Sequence, residues 1–397
     1  MRSFSRVLSL AVLLAFGFSA FGGTTYYVSK NGSNGDAKSW ATAKTTIQAA
    51  IECCSTGGGD TVIVDDGDFA DIGKAVSITV DSFAFSMPTV VYIDRPLTLK
   101  SRNGKGKTSI IGQYGDGTSQ DGNANYNFPE TGKGAVRCVY AEKNATISGF
   151  TIRKGSTVRA APGKNNAVDN GGGVVAKNGI TYLVDCDVLD CRAGCGAATS
   201  YDVRPIRCRI AGNFAKDDNQ VAYRNSYAFN CLFENNGNDT AKSFIFTKVQ
   251  KFKVVNCTFI NNHVAWIGGT NGDSIKFTAC NCAFLDVIAS GEGGDVRYGF
   301  YNCVQAVSGG KVATGSGCVA GVSKYQYFSP AANDWSAVAD GYLIGKGSTE
   351  YLTTDLTGVP SADYLTTDFT GTNPRTTGTT VAVGCFEPSW SRANRRT

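Results

Sequence analysis

The chain has 397 residues, with 38 basic and 33 acidic side chains for a net charge of +5, 48 glycines, and only 18% of residues charged against 42% hydrophobic. That balance excludes a disordered chain and a basic nucleic-acid-binding protein, and the charge is too small to name a partner. The length exceeds what one compact core usually serves, yet no stretch reads as an interdomain linker, which favours a fold that grows in one dimension.

Met1 to Gly22 has a basic start, an apolar run from Leu8 to Phe18, and small residues at Ala20 and Gly22. This is the pattern of a secretory signal peptide, too short in its apolar run to span a bilayer. Its removal takes Arg2 and Arg6 and leaves +3. The mature protein is expected to be secreted or displayed at the cell surface, with no later segment apolar enough to hold it in a membrane.

After a strand and loop in TTYYVSKNGSNG, Thr45 to Cys54 places Ile47, Ala50, Ile51 and Cys54 on one helical face, so a short amphipathic helix is predicted. Such a helix is suited to covering the exposed end of a repeat stack. GGGDTVIVDDGDF, PLTLKS (96–101), TSIIGQ (108–113) and ATISGFTIRKG (145–155) follow as strands, interrupted by long polar excursions at Tyr114–Gly134 and Ser156–Gly173.

Then one pattern recurs around Cys186, Cys208, Cys231, Cys257, Cys282 and Cys303, at steps of 22, 23, 26, 25 and 21 residues, with VVNCTFINN the central copy. Residues two before and two after each cysteine are mostly apolar, and the residue just before it is polar, which reads as one strand with a dry and a wet face. Such a strand buries its dry face only by stacking on its neighbours. The predicted fold is all-β: a single-stranded parallel β-helix with a short N-terminal capping helix. Its parts are 1–22 signal peptide, 23–75 cap and first strand, 76–328 coils, and 329–397 closing segment and tail, where EYLTTDLTG returns thirteen residues on as DYLTTDFTG.

Fourteen cysteines in an exported chain suggest disulfides. Six share one dry repeat position with side chains pointing the same way, so a buried thiol ladder is expected there instead. Cys53, Cys54, Cys138, Cys191, Cys195, Cys318 and Cys385 remain open to pairing.

The candidate catalytic residues are Asp185 and Asp187, which flank Cys186, and Arg207 and Arg209, which flank Cys208 one coil on. In register, two carboxylates then lie beside two guanidiniums about 4.8 Å away. A carboxylate pair is suited to calcium or to acid–base work, and an arginine to holding an acidic sugar or abstracting its proton. The plainer reading is a set of cross-strand ion pairs. Asn230, Asn256 and Asn281 continue the polar position as a file of amides suited to sugar hydroxyls, with Trp266 as a stacking ring, while Asn235/Asn236 and Asn261/Asn262 recur at the next corner, where amides commonly bond backbone or each other. His263 is the only histidine, which excludes a histidine triad or a multi-histidine zinc site. SRNGKGKT lacks the first glycine of a phosphate loop, and CRAGC and CNC lack the gap of a redox or zinc pair.

YYVSKNGSNG, ATAKTTIQAAIECC, GGGDTVIVDDGDF, ATISGFTIRKG with GGGVV and VVNCTFINN, and the ending DWSAVADGYLIGKGS, DFTGTNPR and VGCFEP together resemble secreted bacterial right-handed parallel β-helix proteins, a group related in fold to pectate lyases and polymorphic outer-membrane repeat proteins. The resemblance implies a three-sided coil with a solvent-facing sheet that, in the enzymes, holds an elongated polysaccharide. It implies surface adhesion as one role and a polysaccharide lyase or glycoside hydrolase as another. The paired arginines and calcium-binding acids of pectate lyases are not found, nor the clustered aspartates with Gly-His-Gly of polygalacturonases. A glycan-binding or adhesin-like role is therefore expected first, with a lyase or hydrolase on a polysaccharide as the alternative, calcium as the one cofactor to consider, and no nucleic-acid partner.

Overall fold

A computed structural model describes residues 23–80, 82–158, 168–216, 221–224, 227–237, 244–247, 251–263, 266–269, 276–285, 297–306, 315–321, 347–348, 368–369, 380–381 and 383–384. The described chain is nearly all β, winding through three parallel faces. The first face runs through Phe83–Ile93, Arg137–Ala141, residues 174–176 and 199–201, Ala222–Tyr223, Phe244–Thr247 and Trp266–Gly269. The second runs from Thr25–Val28 through Asp60–Val64, Leu97–Ser101, Ala145–Ser148 and onward to Arg297–Tyr301. The third runs from Gly67–Phe69 through Asp187–Leu189 and Thr258–Ile260 to Val319–Ala320. Two antiparallel pairs are present among the described residues, Lys74–Val80 with Phe83–Ile93 and Gly347–Ser348 with Thr380–Val381.

The predicted helix is Ile47–Cys53, with the Thr46 hydroxyl accepting the Ala49 N–H at 3.2 Å. Ile47, Ala50, Ile51 and Cys54 are buried, as their spacing requires. The helix packs on Thr25–Val28, Asp60–Val64 and Phe83–Ile93, and the Gln48 carboxamide oxygen accepts the Tyr92 N–H at 2.9 Å.

The repeat is built differently from one continuous strand. Asp185, Arg207, Asn230, Asn256, Asn281 and Asn302 all have φ between 50° and 53°. Each is a one-residue left-handed corner: Val184 ends a second-face strand and Asp187 begins a third-face strand on its other side. VVNCTFINN is therefore two strands of two faces, and the polar position is polar because Asn and Asp tolerate the left-handed region at least cost. Gly149 (φ 77°) holds the equivalent corner before Phe150, where glycine has no Cβ to clash. Arg207 is the exception, and its side chain makes a two-point ion pair with Asp185 one coil below, at 2.7 and 2.6 Å. Arg207→Asn should leave stability within about 1 kcal/mol of the parent, because relief of backbone strain offsets a partly exposed ion pair. Arg207→Val should lose about 2 kcal/mol. Urea titration of both variants separates them, and equal midpoints would contradict this account of the corner.

The residue after each corner points inward. Cys186, Cys208, Cys231, Cys257, Cys282 and Cys303 are 0% exposed and form no disulfide. Each thiol donates to the carbonyl two residues earlier at 3.0–3.4 Å. Burial holds the Cys186, Cys231 and Cys282 thiols well above their ordinary range, so they stay protonated. The expected thiol ladder is present. Beside it Phe233, Phe259 and Phe284 stack in register with centroids 4.8 and 5.0 Å apart.

A second left-handed corner follows five residues on, at Lys154, Asp190, Gly212, Asn235 and Asn261. Asn213, Asn236 and Asn262 come next and are buried. They form an amide ladder, with Nδ2 of Asn213 donating to Oδ1 of Asn236 at 3.1 Å and Nδ2 of Asn236 to Oδ1 of Asn262 at 2.9 Å.

Candidate functional site

The four charged candidates do not converge on one point. Asp187 and Arg209 are Cα partners on the outer side of the third face, whereas Asp185 and Arg207 sit at the corner between faces. Asp187 is paired instead with Lys105 at 2.7 Å, and Arg209 with Glu234 at 2.5 Å. Arg153 and Asp68 add another pair on the same face at 3.1 Å. Each carboxylate among these candidates has a cation of its own, so the arrangement is a lattice of ion pairs. Among the described residues no group of three or more His, Cys, Asp or Glu has the geometry to hold a metal ion.

The amide file is not presented to solvent. Asn230, Asn256 and Asn281 are at most 1% exposed, whereas Asp185, Arg207 and Asn302 at the same corner are half-buried. Asn281 is bridged to the C-terminal region: its Nδ2 donates to the Ser348 carbonyl at 2.9 Å and its Oδ1 accepts the Ser348 N–H at 3.0 Å. Nearby, Val383 and Phe369 pack on Leu232, Ile260, Ala283 and Val304, covering the apolar half of the third face. Trp266 lies in Trp266–Gly269, paired with Phe244, and its side chain lies outside the described residues. His263 is exposed, and its backbone N–H donates to the Asn236 carbonyl at 2.7 Å. Most of the duplicated EYLTTDLTG segment lies outside the described residues.

A concentration of chemistry that the sequence did not announce lies on the outer side of the first face. Successive coils place Tyr92, Tyr140 and Val175 in one row on this side, only 7%, 2% and 1% exposed and packed against Val76 and Ile78, and the half-buried Tyr201 packs against the same row. Tyr92 and Tyr140 stack at 5.7 Å and 12°. Lys74 lies 4.1 Å over Tyr92, and Lys177 and Arg224 lie 4.6 and 5.8 Å over Tyr201. Lys177 Nζ and Asn170 Nδ2 reach the Tyr201 hydroxyl at 3.4 and 3.2 Å. Tyr201 has φ 65°, a costly conformation for a bulky side chain, at the point where Val174–Val184 carries extra residues relative to Thr199–Ile206.

Beneath this row Arg137 is fully buried, with Nε and Nη2 donating to the Gly171 and Asn170 carbonyls at 2.8 Å each and its guanidinium 5.2 Å over the Tyr140 ring. Burial pushes Arg137 down to about 10, partly opposed by Tyr140, Tyr201 and Asp169, so it remains a cation at neutral pH. Burial likewise pushes the Tyr140 hydroxyl up to about 12. Two signals were available in the sequence: an arginine inside the apolar run GAVRCVYA, and the 156–173 excursion that delivers Asp169 to Gly171. The aromatic row itself was hidden, because its members stand one per coil at unequal intervals.

No family profile and no curated protein sequence matches the chain. Among solved structures, pectate lyase Pel9A is 14% identical over 92% of this chain and 96% of its own, with a TM-score of 0.49. Pectin methylesterase from Yersinia enterocolitica is 11% identical over 65% and 89%, with a TM-score of 0.41. XylC, in complex with xylose, is 12% identical over 70% and 75%, with a TM-score of 0.30. At these identities the likeness assigns no residue a role. The chain's own coil geometry, parallel on three faces with left-handed corners in register, makes it a parallel β-helix.

Proposed function

We propose that the chain is an exported solenoid, wound right-handed as parallel crossovers almost always are, that binds an acidic glycan at Tyr201 on its first face. In this reading the helix Ile47–Cys53 closes one end of the stack. The observation that carries it is the half-buried Tyr201 ring with Lys177 and Arg224 over it, at the end of a buried stack of Tyr92 and Tyr140. Aromatic faces take the apolar side of a sugar ring, and amines and guanidiniums take its carboxylate. A second reading, eliminative cleavage of the same polymer, draws on one observation: the Lys177 amine beside the strained Tyr201.

Calorimetric titration with polygalacturonate should show binding that weakens with salt. Tyr201→Ala and Lys177→Ala should each weaken it about tenfold, the worth of one stacked ring or one charge-assisted contact. Undiminished affinity in both variants would sink the proposal. Release of unsaturated products, followed by ultraviolet absorbance, would replace it with the lyase reading.

A further inference from the structure

A groove of about 410 Å³ opens on the outer side of the second face, away from the tyrosine row, and is lined chiefly by Pro96, Thr98, Asn144, Thr146, Ile180 and Tyr182. Its volume is in the range of small-ligand sites, about 300–1,000 Å³. The floor carries Thr98 and Thr146, the last two of a threonine file that begins outside the groove with Thr25 and Thr61; the four are successive Cα partners in four coils, all half-buried. Among the described residues the Thr98 and Thr146 hydroxyls make no intramolecular hydrogen bond. They are donors and acceptors one rung apart, about 4.8 Å.

One wall is Asn144, whose Oδ1 accepts the Ile180 N–H at 2.9 Å, leaving its Nδ2 as a donor. The end wall is Ile180 with Tyr182, which continues the threonine row as the Cα partner of Thr146. Behind Tyr182, Arg204 is held by Asp202 at 3.0 and 2.9 Å. Asp60 is the one ionisable carboxylate in the lining, and its two oxygens already accept the Thr24 and Ser55 N–H groups at 2.7 and 2.6 Å.

The groove therefore offers hydroxyls, an amide and apolar surface, with no cation in its lining and one carboxylate already held by backbone N–H groups. A uronate would give up water there without finding a cation, whereas a neutral pyranose would match both the hydroxyls and the apolar walls. We propose that this groove is a second glycan site, for a neutral, hydroxyl-rich oligosaccharide that runs across the coils along the threonine file. It is independent of the acidic-glycan reading of the first face.

The test titrates the mature chain with cellohexaose, xylohexaose and mannohexaose as neutral probes and hexagalacturonate as the acidic one. At least one neutral hexaose should bind. Thr98→Arg and Thr146→Arg, outward positions where a long side chain fills the groove, should weaken that binding about tenfold or more while leaving hexagalacturonate binding unchanged. Tyr201→Ala should leave the neutral hexaose unaffected. If an arginine variant fails to fold, Thr98→Val and Thr146→Val, which keep β-branched shape and remove only the hydroxyl, should each weaken binding a few-fold. The proposal is overturned if no neutral hexaose binds, if the variants bind as tightly as the parent, or if hexagalacturonate displaces the neutral probe.

Discussion

Phe259→Ala should lower stability by about 3–5 kcal/mol, the range for emptying a fully buried aromatic site. Phe259 is 0% exposed and stands between Phe233 at 4.8 Å and Phe284 at 5.0 Å, nearly parallel to both, with Phe246 edge-on at 6.2 Å. Removing the ring takes away its transfer free energy and also unstacks two neighbours in adjacent coils. The cavity cannot collapse readily, since main-chain ladders such as Leu232–Glu234 with Thr258–Ile260 fix the coil spacing. In a stack of repeats each coil leans mainly on the next, so the loss should also appear as local opening. Amide exchange should quicken first in residues 230–234, 256–260 and 281–285, with urea titration giving the overall loss. A loss under about 1 kcal/mol, or exchange that quickens evenly along the chain, would show that the phenylalanine column does not hold the coils together.

What the sequence carried well was the repeat and what the repeat buries. The cysteine at a constant place in VVNCTFINN and its copies located the inward column, and the helical spacing of Ile47, Ala50, Ile51 and Cys54 located the helix. What it misdirected was the meaning of the polar residue before each cysteine. Asn256 between Val255 and Cys257 has the alternation of a half-wet strand, yet its φ of 51° makes it a corner. Periodicity of two cannot distinguish a strand from two strands joined by a single left-handed residue. A run of Asn, Asp and Gly at one repeat position is the compositional trace of such a corner. The ion pairs were half legible: the partnership of Asp185 with Arg207 follows from the repeat, but those of Asp187 with Lys105 and Arg209 with Glu234 depend on register between segments that share no pattern. The first-face tyrosines and the threonine groove were hidden for the same reason. Their members are single residues from different coils, and only the stacking of the coils brings them together.

Asn236→Ala should destabilise the chain by about 3 kcal/mol, more than its size suggests, because the side chain serves both neighbours. Its Oδ1 accepts the N–H and Nδ2 of Asn213, each at 3.1 Å, and its Nδ2 donates to the Ile210 carbonyl at 2.8 Å and to Oδ1 of Asn262 at 2.9 Å. Alanine leaves the Asn213 backbone N–H without its acceptor at a fully buried position, and each orphaned buried group costs about 1–3 kcal/mol. Asn236→Asp is the sharper variant, since it keeps the shape and an acceptor oxygen but has one donor in place of two, and that one only while protonated. A buried carboxyl beside a carbonyl and an amide oxygen is held neutral, so its folded-state titration point rises above that of the unfolded chain. The unfolded chain then gives up its proton first, and stability falls as pH rises through the ordinary carboxylate range and beyond, until the folded form also ionises. Urea midpoints for Asn236→Asp should therefore drop between about pH 4 and pH 7 relative to the parent, while those of Asn236→Ala track the parent at every pH. A pH-independent difference between Asn236→Asp and the parent would mean that this corner is wet, and that the amide ladder is a surface feature and not a buried spine.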